Sequence, residues 1–148
     1  MLTLSRNIFF YKELSLKDTF ETRVYLMFFH YSIILILLKK KELKTDQENY
    51  NNLFFCIENN LRELGLGDIS VNKKMKSLNK IFYDILLKLN LEITHFKLNK
   101  DILIKYFDNL AQNDNKLKKC ELYFEKFYKF CFELPPQHMI ESIKNFKL

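Results

Sequence analysis

The chain has no tryptophan, two glycines and two prolines in 148 residues. Glycine and proline this scarce exclude a sandwich or barrel, whose many turns depend on them. There are three cysteines, Cys56, Cys120 and Cys131, and no CxxC pair. An odd number at wide spacing excludes a disulfide framework and fits reduced thiols in a cytosol-like compartment. His30, His95 and His138 share no ligand spacing with them, so zinc ligation is not supported. The chain also lacks a nucleophile elbow, a P-loop, a dinucleotide-binding glycine motif, a zincin helix and an EF-hand loop. Glu58, Glu63 and Asp68 are close in sequence, but helix geometry spreads them. Nothing marks an enzyme, a cofactor, a metal or a small-molecule substrate.

What is present is apolar and helical in spacing. Hydrophobic residues make up 48% of the chain, with Phe and Tyr supplying all the aromatics. Long segments rich in Leu, Lys, Ile, Phe and Glu, joined by few loops, predict an all-α protein: one domain over 1–148, a bundle of about five to seven helices. The first helix is expected near 3–13. The second, 20–41, is apolar on every side from Val24 to Leu38, which predicts a buried central helix. At 15 residues, "VYLMFFHYSIILILL" is short of the ~20 that a membrane span needs. His30 within it reads as a buried histidine bonded to a neighbour. Lys39, Lys40 and Lys41 suit that helix's C-terminus.

Thr45 or Asp46 is expected to cap the next helix, which runs to Leu64 with Tyr50, Leu53, Phe54, Ile57, Leu61 and Leu64 on its core face. Both glycines of the chain then fall in "LRELGLGDISVNKKMKSL". Gly65 stands where a left-handed C′ residue belongs, Gly67 allows a second tight bend, and Asp68 or Ser70 offers a cap for the following helix. That helix, 71–89, buries Val71, Met75, Leu78, Phe82, Ile85 and Leu89. Lys73, Lys76 and Lys80 point away and Lys74 lies at the border. Lysines in its first two turns oppose the positive end of the dipole, which a negatively charged partner would relieve. A Lys-rich solvated face is the competing reading. Further helices are expected at 100–112 and 116–133, with His95 in the loop before them. Six of the ten residues from Tyr123 to Phe132 are aromatic, a core stripe broad enough to meet a hydrophobic partner. Pro135 and Pro136 end that helix, and 137–148 form a short helix or stay loose.

The formal charge of +6 invites an RNA or anionic-surface reading, but an AT-biased genome would produce the same excess of Lys, Asn, Ile and Phe. Only local clusters carry weight. The first 20 residues lack the features of a secretory signal or a transit peptide.

"LRELGLGDISVNKKMKSLNKIFY", residues 61–83, resembles the signature of the ubiquinol-cytochrome c chaperone family: an Arg-Glu pair, a Gly-hydrophobic-Gly-Asp turn, Ser-Val, a Lys-rich helix start and a Phe-Tyr pair. "FYKELSLKDTF", 10–20, and "FFHYSIILILLKK", 28–40, are similar to the family's opening segment and its His-bearing apolar helix. The resemblance extends over roughly 9–135. It implies a helical, non-enzymatic assembly factor for the cytochrome bc1 complex. Its implied client is newly made cytochrome b, with a second small assembly factor as partner and the ribosome or an anionic membrane surface nearby. A bacterial cytoplasmic protein, peripheral at the inner face of the inner membrane, is the version expected here. Arg62, Glu63, Gly65, Gly67, Asp68, Ser70, Lys73, Lys74, Lys76, Lys80 and Tyr83 are the partner-binding residues that the motif and the lysine face suggest. The family continues Phe-Tyr-Gly-Arg where this chain has Asp84-Ile85, which removes a basic contact. Two alternatives remain open: a general RNA- or ribosome-binding module, and a structural protein dimerising through its aromatic helix.

Overall fold

The computed structural model describes residues 1–43, 47–89, 98–135 and 139–146. Every regular element among them is helical: α1 (Leu2–Ser5), α2 (Ile8–Lys12), α3 (Phe20–Lys40), α4 (Gln47–Glu63), α5 (Asp68–Lys88), α6 (Lys100–Tyr106), α7 (Asp114–Glu133) and α8 (Met139–Ser142), with 3-10 turns at Asp108–Leu110 and Ile143–Asn145.

The organising element is α3. Thr19 caps it, accepting from the Thr22 amide at 3.2 Å, and Lys39 and Lys40 occupy its last turn. A helix without a polar face has to be surrounded, and α3 packs against α1, α5 and α7. It is long and apolar enough to cross a bilayer, yet 67% of its most apolar window is buried inside the protein. Phe28, Phe29, Ile33, Ile34 and Leu37 are fully enclosed. Lys41, just past its end, donates to the carbonyls of Phe132 (2.8 Å) and Leu134 (2.9 Å), tying the end of α3 to the end of α7. Leu134 is extended, as a residue before a proline prefers, and closes α7.

His30 is fully buried. Its Nδ1 donates to the Leu26 carbonyl (2.6 Å), leaving Nε2 to accept from the Tyr123 hydroxyl (2.9 Å), with Phe10, Phe124 and Phe127 around the ring. This is the bonded core histidine the sequence suggests. Phe124, Phe127, Tyr128 and Cys131 are buried as their spacing predicts, and Phe146 from the last turn closes over Tyr123 and Phe127.

Three expectations are corrected. The first helix divides at Arg6–Asn7, because Asn7 leaves helical geometry and its side chain caps α2 through the Phe9 amide. The helix expected at 100–112 stops at Tyr106: Phe107 leaves helical geometry (φ −131°, ψ 75°) with its side chain buried in the core, and Asn109 donates to the Ser15 carbonyl. Leu64 is 61% exposed instead of lying on the core face. It stands at the turn, and Leu66, two residues on, packs on the core instead. The expected caps Thr45 and Asp46, and His95 and His138, lie outside the described residues.

Candidate functional site

The motif that carries the family resemblance is a helix–turn–helix corner. Leu61 anchors α4 in the core. Gly65 then takes φ +85°, the left-handed conformation that costs other residues free energy. Its amide bonds to the Arg62 carbonyl (2.9 Å), and the Leu66 amide reaches back to that of Leu61 (3.3 Å). Together these two bonds form a complete Schellman closure, with Leu66 packed on the core as its apolar partner.

Gly67 behaves differently from expectation. It is extended (φ −72°, ψ 163°) and occupies the N-cap of α5, so no second glycine bend is made. Neither Asp68 nor Ser70 caps the helix, since α5 already begins at Asp68. The Asp68 carboxylate instead pairs with Arg62, which also holds Glu58 at 2.8 Å. Arg62 therefore brings Glu58 and Asp68 together across the corner, although helix geometry alone would separate them. Glu63 and Ser70 are exposed.

Starting α5 three residues early moves the lysines away from its end. Lys73 falls in the second turn and Lys76 in the third, beyond the first turn where the dipole acts strongly. The dipole argument for an anionic partner thus loses its basis. The lysines also separate into two kinds. Lys74 is half-buried and paired with Glu21 Oε1 at 2.8 Å, tying α5 to the start of α3. Lys73, Lys76 and Lys80 are exposed, and none of them forms an ion pair with a described residue.

Two exposed apolar residues, not singled out from the sequence, lie on the same helix: Ile69 at 87% and Leu87 at 74% exposure, with Tyr83 at 48%. The numbering was the available signal. Residues 69, 73, 76, 80, 83 and 87 alternate steps of four and three, and at ~100° per residue they fall within ~80° of one another.

Asp84 and Ile85, which follow the Phe-Tyr pair of the motif, both have structural roles. Ile85 is fully buried, so this position offers no surface contact. Asp84 ties α5 to α6, accepting from Lys105 (2.7 Å) and the Tyr106 hydroxyl (2.5 Å) while pairing with Lys88 (2.8 Å). The Lys105 ammonium foremost, then Lys88 and Tyr106, hold its carboxyl well below the usual range.

A concavity of ≈ 710 Å³ opens between α1, α3, α4 and the C-terminal turns. Leu2, Leu4, Met27, Tyr31, Leu53 and Ile143 give it apolar walls, with Asn49, Cys56, Glu141 and Lys144 also lining it. The remaining thiols are inert: burial pushes Cys131 up to about 12 and Cys120 higher still. Among the described residues no three His, Cys, Asp or Glu side chains gather as metal ligands do.

No match to the chain is found among curated proteins or among solved structures. The family model described as "Ubiquinol-cytochrome C chaperone" matches residues 12–115, well over half of the chain, and takes in the central helix, the glycine corner and the lysine-bearing helix. The chain belongs to the ubiquinol-cytochrome c chaperone family.

Proposed function

We propose that the protein is a non-enzymatic assembly factor for the cytochrome bc1 complex, with newly made cytochrome b as its client. Family membership carries this reading. In it the protein works in the bacterial cytoplasm at the inner face of the inner membrane, where a nascent cytochrome b segment leaves the ribosome. The apolar groove beside α1, α3 and α4 is the surface we assign to the client, since its volume and leucine, methionine and tyrosine walls suit side chains of an apolar segment. The partly polar rim, with Glu141 and Lys144, would let such a segment be released again.

The test is deletion of the gene in the native organism, read by reduced-minus-oxidised spectra of the membranes. Selective loss of the b-type signal and of bc1 activity, with other haem proteins intact, is expected. A normal b-type signal would refute the client assignment.

A further inference from the structure

α5 carries two stripes of the same spacing, displaced by two residues and therefore facing nearly opposite ways. The inward one, Val71, Met75, Leu78, Phe82, Ile85 and Leu89, is packed in the core or against it. The outward one is Ile69, Lys73, Lys76, Lys80, Tyr83 and Leu87, and it stands in solvent. It extends ~27 Å along the helix at a rise of ~1.5 Å per residue. Its order is apolar, three cations, aromatic, apolar.

We infer that this outward stripe is a docking seam for one α-helix of a protein partner, apolar at both ends of its contact face and acidic in the middle. The alternating four-and-three spacing is that of a helix seam, in which two helices stay in register over several turns. The three lysines on the seam make no ion pair with any described residue, so an acidic middle would supply their missing counter-charges. Ile69 and Leu87 would lose their water against the partner's apolar ends.

Other anionic surfaces fit less well. RNA would meet the lysines through phosphates and gain little from the two aliphatic side chains. A helix lying on a bilayer keeps its cations at the flanks of the apolar face, and here they occupy its midline. The inference does not depend on cytochrome b being the client, because the client groove has no lining residue from α5.

The test uses the full chain and a designed peptide helix of ~20 residues, glutamate at the three central seam positions and leucine at the ends. Binding is read by fluorescence anisotropy at physiological salt. Saturable binding is expected. It should weaken at least ~10-fold in the Lys73→Glu/Lys76→Glu/Lys80→Glu variant and in the Ile69→Asp/Leu87→Asp variant, and a lysine-centred peptide should recover binding to the former. All five residues are exposed, and circular dichroism checks that the variants keep their helices. Absence of saturable binding overturns the inference. So does a peptide affinity indifferent to Ile69→Asp/Leu87→Asp, or tighter lysine-dependent binding to a single-stranded RNA or to phosphatidylglycerol vesicles than to the peptide.

Discussion

A histidine with both ring nitrogens satisfied inside an aromatic cage is a structural group with a pH signature. Burial pushes the His30 imidazole down to about 3 from 6.5, and only the Leu26 carbonyl opposes that shift. Between those values the unfolded chain holds a proton that the native one does not. The native state is therefore not penalised above pH 6.5 and loses stability as pH falls below it, by up to ~1.4 kcal/mol per pH unit. Taking the native protein from pH 7 to pH 5 should cost ~2 kcal/mol through this residue alone. Urea unfolding of the wild type and of His30→Gln at both pH values checks it. The wild type should lose that much more than the variant between the two, and equal losses would mean that His30 is protonated in the native state. The sequence made the burial of His30 legible through the apolar run around it. Its partner was not, because Tyr123 lies 93 residues away and only the packing of α7 on α3 brings the hydroxyl to the ring.

At the scale of elements, the two glycines of the corner do different work, which sequence alone could not separate. Both stand at a helix boundary, and both read as turn residues. Only Gly65 has positive φ, while an added Cβ meets nothing within 4 Å at either position. Gly65→Ala should therefore destabilise by ~1 kcal/mol through backbone strain alone. Gly67 already has the extended geometry of an N-cap but no side chain to accept from the α5 amides. Gly67→Ser should stabilise by a few tenths of a kcal/mol, roughly the difference between the two residues at that position. Chemical denaturation of the two variants decides this, and opposite signs are expected. The start of α5 at Asp68 is hidden in the sequence for a similar reason. Asp68 and Ser70 are good capping residues in isolation, but Arg62 engages Asp68 and the helix begins one residue after Gly67. Periodicity, by contrast, located the inward face of α5 residue by residue, because burial follows from spacing once the helix exists. The outward stripe has the same spacing, but apolar Ile69 and Leu87 on a solvent face show only in the folded chain.

For the whole molecule, the all-α class and the central buried helix followed from composition and from the apolar run, and the family from the 61–83 motif. The groove could not be read in this way. Its walls come from residues 1–4, 27–31, 49–56 and 141–144, and only the folded chain assembles them. Since none belongs to α5, the groove and the lysine stripe can be disabled separately. Leu2 is exposed at the groove, so Leu2→Glu puts a charge at an apolar wall at a stability cost of ~0.5 kcal/mol or less. A carboxylate there has to be desolvated when an apolar segment enters, and the penalty falls on binding rather than folding. A deletion strain complemented with Leu2→Glu should therefore regain little of the b-type signal that the wild type restores, while the purified variant loses no more than ~0.5 kcal/mol of stability and still binds the glutamate-centred peptide through α5. Full recovery of the b-type signal would move the client out of the groove. Loss of peptide binding together with the signal would mean that the two surfaces are one.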